Sequence, residues 1–238
     1  MSTSGPLPTV GSPEPDAIRG MFTGLARRYD ILNTVLSQGQ DRRWRRRAAQ
    51  LTRVHRGDRV LDVCTGTGAL AAQLRRLVGP TGEVVGVDLT EAMLAVARAR
   101  VEDVEFIAGD ACRLPFPDAA FDAATMAFGL RNIADRPGAV RELARVLRPG
   151  GRAVILEFSQ PLPLIRPAYA WYSRRVIPPV ARGLLGRDSA YRYLTASIAA
   201  FVAPEVVSRW LREAGFATVR QYRMAAGIVA LHQGRRRG

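Results

Sequence analysis

Short apolar runs alternate with helix-like stretches through the middle of the chain. The predicted strands are, in chain order, 60–63, 84–87, 104–107, 121–126 and 152–158. The predicted helices between them are 67–78, 90–101 and 138–147, and the last of these stops at Arg148-Pro149-Gly150-Gly151. Strands that alternate with helices in this way predict a parallel sheet with crossover helices.

The two ends of the chain have different patterns. Apolar residues from Ile18 to Tyr29 recur at helical spacing and a second helical stretch follows Gln40, so two helices are predicted before the sheet. Beyond the fifth strand the prediction is as follows: a proline-rich and aromatic segment at 159–187, helices at 188–200 and 204–214, and strands at 216–222 and 228–231.

A chain of 238 residues, 47% of them hydrophobic, can fill one sizeable core. We predict one domain over 16–234, preceded by a disordered leader, 1–15, that contains four prolines. The domain is predicted to include an N-terminal helical cap at 16–55 and a substrate-side helical insertion at 159–200. A basic tail follows the domain at 235–238. A membrane-spanning run and the layout of a signal peptide are both missing, so a cytoplasmic protein is expected.

The charge and the cysteines restrict the classes of partner. The net charge of +14 is carried by arginine alone, a bias that genomic base composition can also produce. Arginine is concentrated in two clusters, Arg42-Arg43-Trp44-Arg45-Arg46-Arg47 and Arg235-Arg236-Arg237. The first is either a solvated helix face or a contact to an anionic membrane surface, and the second is either a frayed tail or such a contact. Near an anionic membrane each arginine adds about 1 kcal/mol of attraction. No nucleic-acid motif accompanies the charge, so nucleic acid is not expected. Cys64 and Cys112 lack metal-ligand spacing, and no metal is predicted.

A glycine turn follows the first predicted strand. The turn is Asp62-Val63-Cys64-Thr65-Gly66-Thr67-Gly68, and its glycines let a ligand approach the backbone. Its candidate cofactor-binding residues are Asp62, Gly66, Thr67 and Gly68. Asp88 ends the next strand, 20 residues past Gly68, where a carboxylate can accept hydrogen bonds from two ribose hydroxyls. The dinucleotide spacing is not met, which favours a nucleoside without a pyrophosphate.

A third element follows the third strand. Asp110 and Ala111 come just after it, at the edge where a doubly wound sheet binds ligands, and Asp110 can accept from an adenine amino group. Taken singly, the glycine turn also fits an ordinary turn, Asp88 a surface acid, and Asp110 an Asx-turn. The three in this order predict an adenosine site.

Several longer motifs accompany these elements: Met21-Phe22, Tyr29-Asp30, Trp44-Arg45, Leu114-Pro115-Phe116-Pro117, Phe128-Gly129-Leu130-Arg131-Asn132, Leu156-Glu157-Phe158-Ser159 and Gly227-Ile228-Val229-Ala230-Leu231-His232. With them the sequence resembles the ubiquinone/menaquinone C-methyltransferase family, most closely the demethylmenaquinone methyltransferases, from about residue 20 to 234. The resemblance implies a doubly wound, seven-stranded class I (Rossmann-like) methyltransferase fold, with the last strand antiparallel. It also implies S-adenosylmethionine as cofactor, with contacts at Thr67, Asp88, Asp110 and Ala111.

Three alanines depart from the family pattern. Ala69 stands where the turn often ends in an acid, Ala127 where a serine is usual, and Ala226 where a second glycine is usual. We still place Ala127 among the cofactor-binding residues. The missing serine hydroxyl removes a contact worth about 1 kcal/mol.

The resemblance implies ring-carbon methylation of demethylmenaquinol to menaquinol. Arg131 and Asn132 follow the fourth strand at its carboxyl end and are expected to hold the quinol oxygen. The alternative is a loop capped by a surface ion pair between Arg131 and Asp135. Tyr29 is a third candidate catalytic residue, because Tyr29 and Asp30 either close over the cofactor or anchor the first helices. Neither His55 nor His232 is the expected base.

The expected partners are a prenylated quinol and an anionic membrane surface, while a homodimer is left open. The aromatic segment with Tyr169, Trp171, Tyr172 and Ile177 is either an apolar cover for the isoprenoid tail or a helical pair packed on the sheet. Two other functions remain: a methyltransferase for another phenol or quinol in specialised metabolism, and a nucleic-acid binder without catalysis.

Overall fold

A seven-stranded sheet lies at the centre of the computed structural model, which describes residues 14–26, 29–175, 179 and 189–238. Its strands are β1 (Arg59–Val63), β2 (Glu83–Asp88), β3 (Glu105–Ala108), β4 (Phe121–Ala127), β5 (Leu147–Phe158), β6 (Phe216–Met224) and β7 (Val229–Arg236). Their spatial order is β3-β2-β1-β4-β5-β7-β6. The predicted leader falls almost wholly on residues 1–13, outside the described part.

Helices connect the strands and precede them. The described helices are α1 (Pro15–Leu25), α2 (Tyr29–Leu36), α3 (Gln40–Thr52), α4 (Ala71–Val78), α5 (Glu91–Arg100), α6 (Arg136–Val146), α7 (Arg166–Arg175), α8 (Ser189–Ala199) and α9 (Pro204–Glu213). Short 3₁₀ turns lie at Leu130–Asn132, Pro163–Ile165 and Ala225–Gly227.

The strand directions confirm the doubly wound prediction. Strands β1 to β5 are parallel, and β7 is inserted antiparallel between β5 and β6. The chain leaves β1 toward β2 on one side and later returns to place β4 on the other side. A crevice therefore opens at the carboxyl ends of β1 and β4, where such folds bind ligands.

Both faces of the sheet are buried under helices. Neighbouring residues of one strand, Val60 and Leu61, point to opposite faces and are fully buried in two different apolar clusters. One cluster contains Leu143 of α6 and Leu211 of α9, and the other contains Leu74 of α4. This double burial explains why the strands read as continuous apolar runs.

Helix α4 begins four residues later than predicted, at Ala71 instead of Thr67. Cys64, Gly66 and Gly68 have φ values of 55°, 57° and 77°, which no right-handed helix contains. The turn that follows β1 is therefore longer than its apolar pattern suggests, and this extra length leaves its backbone open toward the crevice.

The C-terminal strand is longer than predicted. β7 runs to Arg236, and Arg235 is paired with Arg152 of β5 and Thr218 of β6. The predicted tail at 235–238 is thus partly a strand, because its backbone hydrogen bonds outweigh the repulsion among exposed arginines. Ala226, where the family has glycine, adopts a φ of 52°, a conformation that glycine takes more readily.

Among the described helices, none is long and apolar enough by itself to span a bilayer. Two consecutive segments, Tyr193–Ala199 and Pro204–Glu213, reach the required length and composition together, with a 70° bend between them.

His232 lies in the middle of β7 and is 1% exposed, with Nδ1 3.1 Å from Ser208 Oγ. Burial lowers the pKa of His232 from 6.5 to about 4, so acid favours the unfolded chain, which takes up the proton first. We expect the free energy of unfolding to lose about 3 kcal/mol through His232 between pH 6.5 and 4. The His232→Asn variant should lack this loss in denaturant titrations across that range.

Asp62 has the opposite effect on the free energy of unfolding as the pH falls, because burial raises its pKa to about 6 and the folded protein takes up this proton first. The difference between wild type and His232→Asn removes that contribution from the comparison. His55→Asn is the control, since the His55 side chain is 83% exposed. Parallel stability curves for wild type and His232→Asn would contradict the expectation.

Candidate active site

A cavity of about 330 Å³ opens at the carboxyl ends of β1, β2 and β4. Most of the predicted site residues line it: Gly66, Thr67, Asp88, Asp110, Ala111, Ala127 and Asn132. Asp62, Gly68 and Arg131 are absent from its wall. The structure thus brings residues from four separate loops into one space.

Asp88 organises the floor of this cavity. Its Oδ2 accepts from the Gly66 backbone N–H at 2.8 Å, and its Oδ1 accepts from the Thr90 N–H at 2.9 Å. Burial raises the pKa of Asp88 against the effect of these bonds, which favour the ionised form. The carboxylate lines the cavity and its oxygens act only as acceptors, so it suits a pair of ribose hydroxyls, which can donate.

Gly68 supports the turn from the side away from the cavity. A Cβ added at this position would lie 3.0 Å from atoms of Phe106 and Val101. Glycine is therefore required here for the close packing of the turn on β3 and α5, and no ligand contact is needed to explain it.

Asp62 lies behind the same turn and is 1% exposed. Its carboxylate accepts from the Thr65 hydroxyl at 2.7 Å and from the Thr125 hydroxyl at 2.6 Å. These bonds join the turn to β4. The position favours a role in holding the turn over the direct cofactor contact predicted from the sequence.

Asp110 combines the two interpretations that the sequence left open. Its Oδ1 accepts from the Cys112 N–H at 2.8 Å, which makes an Asx-turn, and the residue also lines the cavity beside Ala111. The turn orients the carboxylate and leaves its second oxygen as an acceptor. This chemistry suits an adenine amino group.

The N-terminal helices cover the cavity. Ile18 and Phe22 of α1 line it, and Asp30 of α2 accepts from the Thr67 hydroxyl at 2.7 Å. Asp30 also forms an ion pair with Arg100 of α5. Asp30 therefore ties α2 to the glycine turn. Tyr29 begins α2, but its side chain lies outside the described part, so its role stays a prediction.

Arg131 is buried and does not reach the cavity. Its guanidinium Nη1 lies 2.7 Å from Glu157 Oε1 and donates to the Phe128 carbonyl at 2.5 Å. The alternative of a surface ion pair with Asp135 is wrong, because Arg131 is 4% exposed. Asp135 instead caps α6 through the Gly138 N–H and pairs with Arg141. The local sequence held no signal of the partner 26 residues away.

Asn132 is the member of this turn that does line the cavity. Its Oδ1 accepts from the Tyr193 hydroxyl of α8 at 3.1 Å. With the oxygen held in this way, the amide nitrogen is the group that can donate to a ligand oxygen.

A second cavity, of about 310 Å³, adjoins the first at Phe128, which lines both. Trp44 and Phe158 pack against the Phe128 ring, with centroids 6.3 and 4.6 Å away. Phe128 has a φ of 58°, an unusual value for a large side chain and one that marks functional sites. Phe128 and Trp44 were visible in the sequence as motif residues without an assigned role.

The aromatic segment supplies much of the second cavity's apolar wall. Tyr169 and Tyr172 of α7 line it together with Leu194 and Ile198 of α8. This supports the predicted apolar cover. Trp171 does not line the cavity and is 63% exposed. Ile177 lies outside the described residues.

The sheet order, the antiparallel β7 and the acids at the ends of β2 and β3 define a class I S-adenosylmethionine-dependent methyltransferase. A similar fold is found in a Thermotoga maritima methyltransferase described as a possible histamine N-methyltransferase, with a TM-score of 0.63 and 19% identity over 91% of this chain and 100% of that one. Another is the Haemonchus contortus phosphoethanolamine N-methyltransferase 2 in complex with S-adenosyl-L-methionine, with a TM-score of 0.57 and 17% identity over 78% of this chain and 50% of that one.

The family is narrower than this class. The model of the ubiE/COQ5 methyltransferase family matches residues 11–236. The Pseudomonas entomophila ubiquinone/menaquinone biosynthesis C-methyltransferase UbiE is 45% identical over 221 residues, which cover 90% of this chain and 86% of that protein. This chain therefore belongs to the ubiE/COQ5 methyltransferase family, and S-adenosylmethionine is its cofactor.

Proposed function

We propose that this enzyme methylates a ring carbon of a prenylated quinol, converting demethylmenaquinol to menaquinol. The observation that carries the proposal is the second cavity, whose aromatic and aliphatic wall meets the cofactor cavity at Phe128. A quinol ring placed at this boundary has its tail among apolar side chains and its reactive carbon beside the cofactor. The Pseudomonas relative is a ubiquinone/menaquinone biosynthesis C-methyltransferase, which agrees with this substrate class.

Each site residue has a proposed task in this reaction. S-adenosylmethionine, when bound, supplies an electrophilic methyl group. Asp88 and Asp110 hold the nucleoside of the cofactor, and the polar turn at Gly66 and Thr67 holds the central part of the cofactor molecule. Positioning of the ring carbon in line with the methyl group then supplies much of the rate. The products are methylated quinol, S-adenosylhomocysteine and the proton displaced from the ring carbon.

Asn132 is the proposed contact to the quinol oxygen, through its amide nitrogen. A donor at that oxygen stabilises the phenolate character that makes the ring carbon nucleophilic. Arg131, predicted for the same task, is instead proposed as a positioning residue, because its contacts to Glu157 and the Phe128 carbonyl hold the segment from Phe128 to Asn132. Tyr29 remains a proposed covering residue.

We also infer that the enzyme docks on an anionic bilayer to collect its substrate. Leu164 is 91% exposed beside Ile165, which lines the second cavity, and Trp171 is exposed on α7, the same helix as Tyr169. The exposed residues Arg166 and Arg175 lie at the two ends of α7, next to these apolar side chains in sequence. Homodimer formation and a cytoplasmic location stay predictions.

A related phenol or a ubiquinone precursor is the second candidate substrate. Ala69 and Ala127 both line the cofactor cavity and both depart from the family pattern. These changes alter the shape and polarity of the wall near the methyl group. A non-catalytic nucleic-acid binder has no such support, since the described residues line a cavity whose acids suit a small nucleoside cofactor.

The test is turnover with reduced quinols. Purified enzyme is incubated with S-adenosylmethionine and reduced demethylmenaquinone analogues with long and short tails, and ring-methylated product is followed by mass spectrometry. We expect product from the quinol, a lower KM for the long tail, and no product from the oxidised quinone. A reduced ubiquinone precursor is run in parallel. Turnover of that precursor alone, or cofactor binding without any quinol product, would overturn the demethylmenaquinol assignment.

A further inference from the structure

One arginine of the basic cluster on α3 is buried while its neighbours are not. Arg42, Arg43, Arg46 and Arg47 are exposed, whereas Arg45 is 7% exposed. The Arg45 guanidinium carbon lies 5.1 Å from the centroid of the Phe128 ring, and Arg45 lines the cofactor cavity. The cluster therefore contains one cation that faces the interior of the site.

The charge of Arg45 is incompletely satisfied by the described residues. Its Nε is buried and has no hydrogen-bond partner among them. Asp41 Oδ2 is 3.9 Å from this Nε, an ion-pair distance that is too long for a hydrogen bond, and the other oxygen, Oδ1, accepts from the Ser37 hydroxyl at 3.1 Å. Asp41 and, through space, Asp62 act on this charge, but the buried Nε–H has no acceptor among the described residues. An unsatisfied buried donor is costly, and an anion bound in the cavity would supply acceptors to the guanidinium.

The order of groups along the cavity indicates which anion this is. The proposed adenine acceptor Asp110 follows β3, the ribose acceptor Asp88 ends β2, the glycine turn follows β1, and Phe128 with Arg45 lies at the end of β4. A nucleoside bound at β3 and β2 directs the rest of the cofactor across β1 toward β4. The group at that end of S-adenosylmethionine is the methionine part with its carboxylate.

We propose that Arg45 binds the carboxylate of the methionine part of S-adenosylmethionine. A guanidinium fork matches a carboxylate in geometry and charge, and its contact with the Phe128 ring holds it in place. This interaction anchors the end of the cofactor opposite to the adenine and so aims the methyl group toward the boundary between the two cavities. The inference rests on the cofactor and is independent of which quinol is methylated.

Calorimetric titration of three ligands tests the proposal. S-adenosylhomocysteine has the amino-acid part, decarboxylated S-adenosylmethionine lacks its carboxylate, and 5′-methylthioadenosine lacks the amino-acid part altogether. Arg45→Met keeps an apolar stem without the charge. It should lower the affinity for S-adenosylhomocysteine by about 10- to 100-fold, as loss of a charged hydrogen bond does. Its affinities for the two ligands without a carboxylate should stay within about twofold of wild type.

Two further variants complete the design. Arg46→Met removes the same charge from an exposed position of the same helix, and all three affinities should be unchanged. Arg45→Lys keeps the charge without the fork and should recover part of the lost affinity. An equal loss for all three ligands would assign Arg45 to packing alone and overturn the proposal. Unchanged S-adenosylhomocysteine affinity in Arg45→Met would overturn it as well.

Discussion

Replacing Glu157 by glutamine should lower the free energy of unfolding by about 3 to 5 kcal/mol, since it removes the carboxylate charge that lies against the buried Arg131 guanidinium. The two side chains are 1% and 3% exposed, and their closest atoms are 2.7 Å apart. Glu157 also accepts from the backbone N–H groups of Arg131 and Phe158. Denaturant titration measures the loss as a shift of the midpoint at constant slope.

Two controls show whether the buried charge is the cause. The double variant Arg131→Met with Glu157→Gln removes the cation and should recover most of the stability, because an apolar replacement of a buried pair is close to neutral. Glu213→Gln breaks an exposed pair with Arg209, in which both side chains are 63% exposed, and should cost less than about 1 kcal/mol. A Glu157→Gln variant as stable as wild type would refute the argument.

Asp88→Ala should weaken S-adenosylhomocysteine binding by about a hundredfold or more, because two charge-assisted hydrogen bonds of about 1.5 to 3 kcal/mol each are lost. The variant also removes the acceptor for the Gly66 and Thr90 N–H groups, which loosens the turn that shapes the cavity. Calorimetric titration gives the affinity, and thermal unfolding shows whether the fold persists.

Asp88→Asn serves as the graded comparison for this site. It keeps one oxygen acceptor and the shape of the side chain but loses the charge, so its affinity should fall between those of wild type and Asp88→Ala. Glu83→Gln, at the exposed start of the same strand, is the matched control and should bind normally. Near-normal affinity in a folded Asp88→Ala variant would contradict the assignment of Asp88, at the end of β2, to the ribose.

The sequence predicted most of the fold because the information is local. Alternation of apolar runs with helical segments is visible within 10 to 20 residues, and the strands at 60–63 and 84–87 lie within the observed β1 and β2. Element ends were less accurate. α4 begins late because Gly68, which lies inside the predicted helix, has a positive φ, and β7 extends to Arg236 because β5 and β6 supply its hydrogen bonds.

The meeting of Asp88 and Asp110 in one cavity was predictable for the same reason. In a parallel sheet the carboxyl ends of neighbouring strands meet at one edge, so Asp88 and Asp110 were bound to lie together once β2 and β3 were recognised. The family motifs then added the cofactor, which the family match confirms.

By itself, the sequence determined the doubly wound fold, the family and the two acids that line the cavity, because spacing along one chain encodes the periods of helices and strands. Tertiary structure alone decided which polar groups are buried together. Arg45 and Arg46 are adjacent and chemically identical, yet only Arg45 faces the cavity, and Arg131 pairs with Glu157 of another strand instead of the nearby Asp135. Burial and long-range pairing depend on how helices pack on the sheet, and so the buried charges beside the cavity appear only in the folded molecule.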